Sequence, residues 1–293
     1  MPSSSPLREL REDDAEQVAA LFVETFGPAR KLDAEEIRSW LRNTEFEADW
    51  LRVLDEDGTV VGYGDIWPKD DVLELDAAAP KRWDVFFDWA EHEATARAIP
   101  RVRTQVPHGH ELANVVAARG YEAWRHSLTM EIELDTTPRR PELPRGVESR
   151  SYRDDDEPQL IAALNDAFAE DPFWQHVTRS SFREFWLRAR GFDPALWALA
   201  FDGGELAGFS LAYPERGTDT ELGWVATLGV RRPWRRRGLG EALLRGSFAA
   251  LHRRGKRRVG LGVDAQNVTG ALRLYERAGM RAVRRSDNWQ KTL

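Results

Sequence analysis

Residues 224–240 decide how this chain is interpreted, and they read Trp-Val-Ala-Thr-Leu-Gly-Val-Arg-Arg-Pro-Trp-Arg-Arg-Arg-Gly-Leu-Gly. The apolar run 225–230 predicts a buried strand, and Pro233 ends it because proline cannot donate to a sheet. A helix is predicted next, because apolar residues then recur at helical spacing. These residues are Leu239, Leu243, Leu244, Phe248 and Leu251.

The turn between this strand and this helix has the features of an anion site. Free N–H groups converge at a helix N-terminus, where the helix dipole favours negative charge. Gly238 and Gly240 lack a Cβ, so a phosphate can approach the backbone closely. Arginines stand at positions 231, 232, 235, 236 and 237. We expect a polyanion, in particular a diphosphate, to bind here, although turn glycines beside a solvated arginine surface would show the same residues.

Composition limits the class of protein. The length of 293 residues favours two domains, and 42% hydrophobic with 31% charged residues is typical of globular chains. A formal charge of −7 does not suggest nucleic-acid binding. The absence of cysteine excludes disulfides and cysteine nucleophiles and fits a cytoplasmic protein. No apolar run approaches the roughly 20 residues of a membrane helix, and residues 1–6 lack the features of a signal peptide.

Metal binding is not expected. His108 and His110 form a His-Gly-His pair, but no cluster of carboxylates accompanies them. Histidines in surface loops are the commoner interpretation of such a pair.

The order of predicted elements repeats once. Residues 1–135 form a first copy, 136–146 a linker rich in proline and charge, and 147–293 a second copy. Each copy is predicted to begin with a strand and two helices, continue with a hairpin and a further strand, and then alternate helix, strand, helix and strand. In the second copy, Ser180 or Ser181 is expected to cap the second helix, Val268 to Ala278 to form the last helix, and 281–293 to complete the sheet.

Matched residues support a duplication. Gly58, Gly62, Tyr63 and Pro68 correspond to Gly204, Gly208, Phe209 and Pro214, all 146 positions later. The extra length of the second copy falls partly in the segment 235–240. After Pro80 the first copy continues Lys-Arg-Trp-Asp, without glycine, so it is predicted to have lost the anion-binding turn.

The second copy resembles the GNAT superfamily of acetyltransferases. Arg235, Gly238 and Gly240 match its first signature, which is Arg or Gln, two residues, Gly, one residue, and Gly or Ala. Asn267, Ala271, Leu274-Tyr275-Glu276 and Gly279 match its second signature. Residues 7–135 resemble the same fold with the motif missing, and this tandem layout is similar to that of the mycothiol synthase group.

The resemblance implies an α/β (α+β) fold with two tandem domains, each a mixed, mostly antiparallel central sheet flanked by helices. It implies that acetyl-CoA lies along the strand ending at Val230, where this strand splays from its neighbour. Tyr275 would stand near the sulfur and protonate the departing thiolate, and an N–H near Leu228 would stabilise the oxyanion. The acetyl-CoA-binding residues are then Leu228, Gly229, Val230, Arg235, Arg236, Arg237, Gly238, Leu239, Gly240, Asn267 and Tyr275. Tyr275 could instead be a packed tyrosine, and Asn267 could cap its helix.

The general base is not readable from the sequence. Some members of the superfamily carry a glutamate four residues before the position of Leu228, where this chain has Trp224. Glu221 is our candidate, with Asp219 beside it, although both could be loop carboxylates in solvent. A base is unnecessary if the amine is already neutral.

Two functions remain open. The first is an acetyl-CoA-dependent N-acetyltransferase that acts on a primary amine of a small molecule, such as an amino sugar, a mycothiol precursor or an aminoglycoside. The second is a non-catalytic acyl-CoA-binding or regulatory protein. Trp174, Trp186 and Trp224 are candidates for lining an acceptor pocket. We expect a monomer or homodimer with no nucleic-acid or membrane partner.

Overall fold

The computed structural model describes residues 7–27, 30–69, 71–136, 138, 142–267 and 269–293. Residues 1–6, part of the predicted linker 136–146, and the predicted helix start at Val268 lie outside these ranges. The chain divides into two compact units, which are Met1–Ser127 with Arg284–Leu293 (unit 1) and Leu128–Val283 (unit 2). Among the described residues, no helix has the length and apolar character needed to span a membrane.

The described residues form the following strands and helices. The strands are β1 (Leu7–Glu9), β2 (Leu51–Glu56), β3 (Thr59–Pro68), β4 (Leu73–Ala78), β5 (Arg101–Pro107), β6 (Glu122–Glu133), β7 (Val147–Ser151), β8 (Trp197–Asp202), β9 (Glu205–Tyr213), β10 (Leu222–Val230), β11 (Arg258–Asp264) and β12 (Arg281–Thr292). The helices are α1 (Ala15–Phe26), α2 (Ala34–Arg42), α3 (Trp83–Ala96), α4 (Leu112–Ala118), α5 (Glu157–Ala167), α6 (Arg179–Phe182), α7 (Leu239–Arg253) and α8 (Ala271–Arg277).

Unit 1 is a mixed, mostly antiparallel sheet with helices on both faces. Its strand order is β1-β2-β3-β4-β5-β12, in which only β4 and β5 are parallel. Side chains alternate between the two faces of a strand, so Tyr63 packs with Phe22 of α1 while Ile66 packs with Phe86 of α3. Gly64 is required there, because a Cβ at this position would lie 2.4 Å from the Phe86 ring.

Unit 2 has the same architecture. Its strand order is β6-β11-β10-β9-β8-β7, with β10 and β11 parallel. Phe209 and Leu211 face α5 and α6, whereas Ala212 and Val225 face α7. The expected fold class, a mixed sheet flanked by helices in each of two tandem domains, is confirmed.

The structure adds evidence for duplication that the sequence comparison missed. Arg8 donates two hydrogen bonds to Asp14, at 2.7 and 2.8 Å. Arg150 donates two to Asp156, both at 2.6 Å. Each pair fixes the first strand of its copy to the turn before the first helix. In addition, β2 and β8 carry a register shift at corresponding places.

The last strand belongs to a different unit from the one expected. Residues 281–293 were predicted to complete the sheet of the second copy, but Ser286–Thr292 pair antiparallel with Pro107–Arg101 of β5. Residues 284–293 therefore belong to unit 1, and residues 128–133 of β6 belong to unit 2. The units thus divide the chain differently from the predicted boundaries, because a strand pattern identifies a strand and not its pairing partner.

Two helix starts also differ from expectation. The second helix of the second copy is capped by Thr178, and not by Ser180 or Ser181, because the Thr178 hydroxyl accepts the Ser181 N–H at 3.1 Å. The last helix begins at Ala271, after Gly270 in the left-handed region with φ 80°.

The pairing of β12 with β5 predicts which unit the last strand stabilises. Trp289 packs against the core of unit 1, so Trp289→Ala should destabilise unit 1 by about 2–4 kcal/mol. Val283 lies on the same strand and is 50% exposed, so Val283→Ala should have little effect. Amide hydrogen exchange measures this: Trp289→Ala should speed exchange in β4 and β5. Faster exchange confined to β9 and β10 would contradict the assignment.

Candidate active site

The strand β10 is paired along most of its length on one side only. It pairs antiparallel with β9 from Trp224 to Val230, with a register shift between Val225 and Thr227. Its parallel pairing with β11 covers only Leu222–Trp224 against Arg258–Gly260. Residues 225–230 therefore line an opening on the β11 side, which is the splay that the resemblance implied.

Backbone groups of two predicted residues point into this opening. The Arg231 N–H donates to the Ala207 carbonyl at 3.0 Å. Because hydrogen-bonded and non-hydrogen-bonded pairs alternate in an antiparallel ladder, Leu228 and Val230 direct their N–H and C=O groups away from β9. The Val230 carbonyl accepts Arg235 Nε at 3.0 Å. The groups that remain for a ligand are the N–H groups of Leu228 and Val230 and the Leu228 carbonyl.

Gly229 has a packing role. It lies opposite Phe209 in the ladder, and by the same alternation its backbone groups face β9. A Cβ at this position would lie 2.3 Å from the Phe209 ring, so only glycine leaves room for that ring. The structure thus gives Gly229 a part in packing rather than a direct part in ligand binding.

The turn after β10 presents a set of N–H groups. Helix α7 begins at Leu239, and its first hydrogen bond runs from the Ala242 N–H to the Gly238 carbonyl at 3.1 Å. The N–H groups of residues 238–241 therefore precede the helical ladder. Arg236 and Gly238 both have positive φ, 61° and 84°. A non-glycine residue in this region is strained, and such strain is concentrated at functional sites.

Two residues of the turn anchor it to the fold. Leu239 is buried at the start of α7 and belongs to a cluster that includes Trp234 and Leu243. A Cβ on Gly240 would lie 3.0 Å from the Leu274 side chain, so this glycine lets α7 approach α8. These contacts hold the first turn of α7 in place.

The Arg235 side chain is held by protein groups on either side of the turn. Its guanidinium donates to the carbonyls of Val230 and Ala167 at 3.0 and 2.9 Å, and to Glu170 at 2.9 Å. Every branch of the side chain is thus used within unit 2. Sequence reasoning placed Arg235 among the anion ligands because the signature contains it, but tertiary contacts make it a clamp between β10 and α5.

The other arginines near the turn differ in how closely a carboxylate approaches them. Arg231 pairs with Asp166 at 2.7 Å, and Arg232 pairs with Glu170 at 2.5 Å. Arg237 makes a longer contact of 3.5 Å with Asp202. Arg236 and Arg237 are exposed beside the turn. They are the two side chains best placed to add positive charge to its N–H groups.

Tyr275 is buried on α8, and Asn267 stabilises a turn before that helix. Tyr275 is 7% exposed, and burial raises its pKa to about 12, so its hydroxyl stays protonated at neutral pH. The Asn267 side-chain oxygen accepts the Thr269 N–H at 2.8 Å. Asn267 therefore caps a turn, while Gly270 occupies the position before the helix.

Glu221 is far from the opening. Seven residues separate it from Leu228, which is roughly 20 Å of strand at about 3.3 Å per residue. A general base must come within about 3 Å of the proton it removes, or act through one water. Asp219 is held elsewhere, since Arg258 lies 2.6 Å away and lowers its pKa against the raising effect of burial. If transfer occurs near Leu228, neither carboxylate can act as a direct base.

The predicted tryptophans fall into two places. Trp174 and Trp186 lie 6.4 Å apart between ring centroids, and Trp174 stacks on Phe168 at 4.4 Å. Trp224 lies on β10 beneath the Arg216 guanidinium, 3.6 Å from its ring centroid. Trp224 thus puts an aromatic and cationic pair where some superfamily members have a glutamate.

The histidines of the first copy are engaged in structure. His110 Nε2 contacts the Thr25 carbonyl at 2.8 Å, and Nδ1 accepts the Leu112 N–H at 3.1 Å. His108 contacts Asp287 at 2.7 Å. In the described part of the chain, no three histidine or carboxylate residues are grouped as a metal site.

The fold and the turn of unit 2 are of the GNAT type. Residues 160–280, which lie within this unit, match the model of the Acetyltransferase (GNAT) family.

Relatives and solved structures agree with this assignment. Mycothiol acetyltransferase of Thermobispora bispora is 35% identical over 175 residues, which cover 57% of this chain and 57% of that protein. The match thus spans little more than half the length of this curated relative. A GCN5-related N-acetyltransferase from Sphaerobacter thermophilus is 29% identical with a TM-score of 0.77, covering 98% of this chain and 95% of that one. A tandem GNAT protein from the clavulanic acid biosynthesis pathway, 18% identical with a TM-score of 0.72 and 98% coverage of both chains, shares the fold.

The role of this turn in binding can be tested with two variants of the same size, one charged and one neutral. Gly238→Asp should place a carboxylate beside the N–H groups of the turn and repel a diphosphate. Gly238→Asn is the matched control, because Asn has the same shape and both residues tolerate positive φ better than most. Acetyl-CoA should bind the Asp variant at least tenfold more weakly than the Asn variant by calorimetry, a difference of about 1.4 kcal/mol. Equal affinity for the two variants would contradict the site.

Proposed function

We propose that this protein is an acetyl-CoA-dependent N-acetyltransferase that acetylates a primary amine of a small molecule. The observation that carries the proposal is the opening between β10 and β11 beside the N–H groups at the start of α7. A thioester arm fits an opening lined by free backbone groups, and a diphosphate fits a helix N-terminus.

The chain offers separate groups for each part of acetyl-CoA. The N–H groups of residues 236–240 would hold the diphosphate, with Arg236 and Arg237 adding positive charge. The backbone of Leu228 and Val230 would bind the pantetheine arm in place of a neighbouring strand. Asn267 would contribute its side-chain NH₂ group, since its oxygen is occupied by Thr269.

The reaction forms one bond and breaks one bond at the thioester. The amine nitrogen attacks the carbonyl carbon to form a C–N bond, and the C–S bond then breaks. The Leu228 N–H would donate to the oxygen that becomes negative. The amine loses one proton, and the departing sulfur gains one.

Tyr275 would stabilise the departing sulfur chiefly by hydrogen bonding. A pKa of about 12 makes its hydroxyl a weaker acid than an ordinary thiol, whose pKa is about 8.5. Donation of a hydrogen bond lowers the energy of the thiolate without complete proton transfer. This role is compatible with burial, because it requires no ionised tyrosine.

The acceptor must reach the site as a neutral amine. Trp224 replaces the glutamate of other members, and Glu221 is too distant to remove a proton near Leu228. We infer direct attack by an amine that has already lost its proton in solution. The named relatives make a mycothiol precursor one candidate, and amino sugars and aminoglycosides remain the others.

A non-catalytic acyl-CoA-binding or regulatory protein is the second candidate. It is favoured by the distance of every candidate base from Leu228. Release of free thiol from acetyl-CoA in the presence of a panel of amines distinguishes the two. Thiol release that depends on the amine supports the enzyme, and binding without release supports the alternative.

The two copies should differ in acetyl-CoA binding. In unit 1, β4 also pairs with β5 over only three residues, but residues 79–82 connect it to α3 without glycine or positive φ. Calorimetry should therefore give one acetyl-CoA per chain. Gly238→Asp should weaken this binding at least tenfold, and substitutions in 80–82 should leave it unchanged. A second site of similar affinity would show that unit 1 binds by another route.

Tyr275 can be tested against a tyrosine of similar environment. Tyr275→Phe should lower kcat by roughly 10²-fold while acetyl-CoA affinity changes little, because the hydroxyl acts in the transition state. Tyr152 is likewise a buried tyrosine, so Tyr152→Phe is the control and should keep kcat. Nearly full kcat in Tyr275→Phe would leave Tyr275 a packing residue.

A further inference from the structure

Unit 1 contains two opposed carboxylates that the acetyltransferase proposal does not use. Asp65 on β3 is paired in register with Asp76 on β4, so both side chains leave the same face of the sheet. Tyr63 lies two residues before Asp65 and therefore shares that face. This is the face covered by α1 and α2.

One positive charge balances only one of the two carboxylates. Arg30 forms an ion pair with Asp76, and its guanidinium lies over the rings of Phe22 and Phe26 at 5.0 and 4.5 Å. No ion pair within the described residues includes Asp65. When both carboxylates are ionised, the pair therefore carries one more negative charge than its surroundings neutralise.

A buried hydroxyl faces the same carboxylates. Tyr63 is fully buried, and its hydroxyl has no hydrogen-bond partner of acceptable geometry. Burial, with the nearby charges of Asp65 and Asp76, raises the pKa of Tyr63 well above its ordinary value. The Asp65 carboxylate interacts with this hydroxyl outside normal hydrogen-bond geometry, so the buried donor is left without a full partner.

Aromatic rings surround this hydroxyl. The Tyr63 ring lies 5.7 Å from both Phe22 and Trp40, measured between centroids. Phe22 and Trp40 contact each other edge to face at 6.3 Å. Faces of aromatic rings attract cations, as the placement of Arg30 over Phe22 already shows.

We propose that unit 1 binds a small organic cation, an alkylammonium or guanidinium group, between Asp65, the Tyr63 hydroxyl and the rings of Phe22 and Trp40. The cation would pair with the ionised Asp65 carboxylate and donate to the Tyr63 oxygen. Arg30 and Asp76 are each about one third exposed, 33% and 38%, so they form the mouth of this cation site. The proposal is independent of acetyl transfer by unit 2.

Binding should be coupled to a proton. The charged and titratable groups around Asp65 are Asp76, Tyr63 and Arg30. Burial and the Asp76 charge raise the pKa of Asp65 to about 8, so the free site holds a proton at neutral pH. An entering cation displaces that proton, and its affinity should rise with pH up to about 8, by as much as tenfold per unit.

Calorimetry with n-propylammonium tests the site, with n-propanol as the uncharged probe. The wild type should bind the cation, more tightly at pH 8.5 than at pH 6.5, and should not bind n-propanol in the same range. Asp65→Asn and Tyr63→Phe should weaken binding at least tenfold. Asp57→Asn removes an equal charge at the β2–β3 turn, where φ of 53° suits Asn, and should bind like the wild type.

Several results would overturn the proposal. They are unchanged affinity in Asp65→Asn, equal binding of n-propanol, affinity independent of pH, or no binding to the wild type at roughly 50 mM probe. Any binding to an acceptor site in unit 2 would survive in Asp65→Asn and is thereby recognised.

Thermal unfolding tests whether Asp65 serves ligand binding or the stability of the fold. Because the folded pKa of Asp65 is raised, its contribution to stability is greatest below about pH 4 and is lost as pH rises to about 8. Asp65→Asn removes an uncompensated carboxylate, so its Tm should equal or exceed that of the wild type at pH 8.5 and should lack this loss. A lower Tm for Asp65→Asn at pH 8.5 would show that Asp65 serves the fold and would overturn the proposal.

Discussion

The early end of pairing between β10 and β11 is the constraint on which unit 2 depends. Three residue pairs hold the two strands together, and beyond Trp224 the strand β10 has a neighbour only on the β9 side. Backbone groups left out of a ladder require other partners. The groups of Leu228 and Val230 can be satisfied by a ligand that lies where a strand would otherwise lie. A sheet opening of this kind offers a ligand backbone groups rather than side chains.

Such an opening needs rigid support at the end of β10. Arg235 supplies it, since one guanidinium ties the Val230 carbonyl to the end of α5. Gly229 supports the strand on its β9 side, because a residue without a Cβ leaves room for the Phe209 ring. Residues that the sequence predicted as one acetyl-CoA site thus have different structural tasks. Gly238 and its neighbours present N–H groups, whereas Arg235 and Gly229 hold the strand that leads to them.

Comparison of the copies shows what was kept and what changed. Both retain the ion pair between the first strand and the turn before the first helix, and both have a short parallel pairing in the middle of the sheet. The glycine-rich turn is confined to the second copy. The middle of the sheet also differs between the copies. The first copy has Asp65, Asp76 and the buried Tyr63 at the positions where unit 2 has Leu211, Thr227 and Phe209. The apolar face of unit 2 suits packing, and the acidic face of unit 1 suits a cation.

Local patterns in the sequence were sufficient for much of the fold. The strand before Pro233, the helix after Gly240 and the repeat at Gly62 and Gly208 follow from periodicity, proline and glycine, whose effects act within a few residues. The family also follows from residues close together in the chain, because its signatures describe one turn and one helix. These features are encoded by neighbours and could be predicted without coordinates.

Tertiary structure alone decided the features that depend on distant partners. The last strand, β12, looks like any other strand in sequence, and only its pairing with β5 assigns it to unit 1. The sequence predicts Arg235 as an anion ligand, but in the structure its guanidinium donates to Glu170 and to two carbonyls. The sequence suggests Glu221 as the general base, but strand geometry places it roughly 20 Å from Leu228. Partners in a sheet and around a guanidinium are chosen by packing in three dimensions, so no spacing along the chain specifies them.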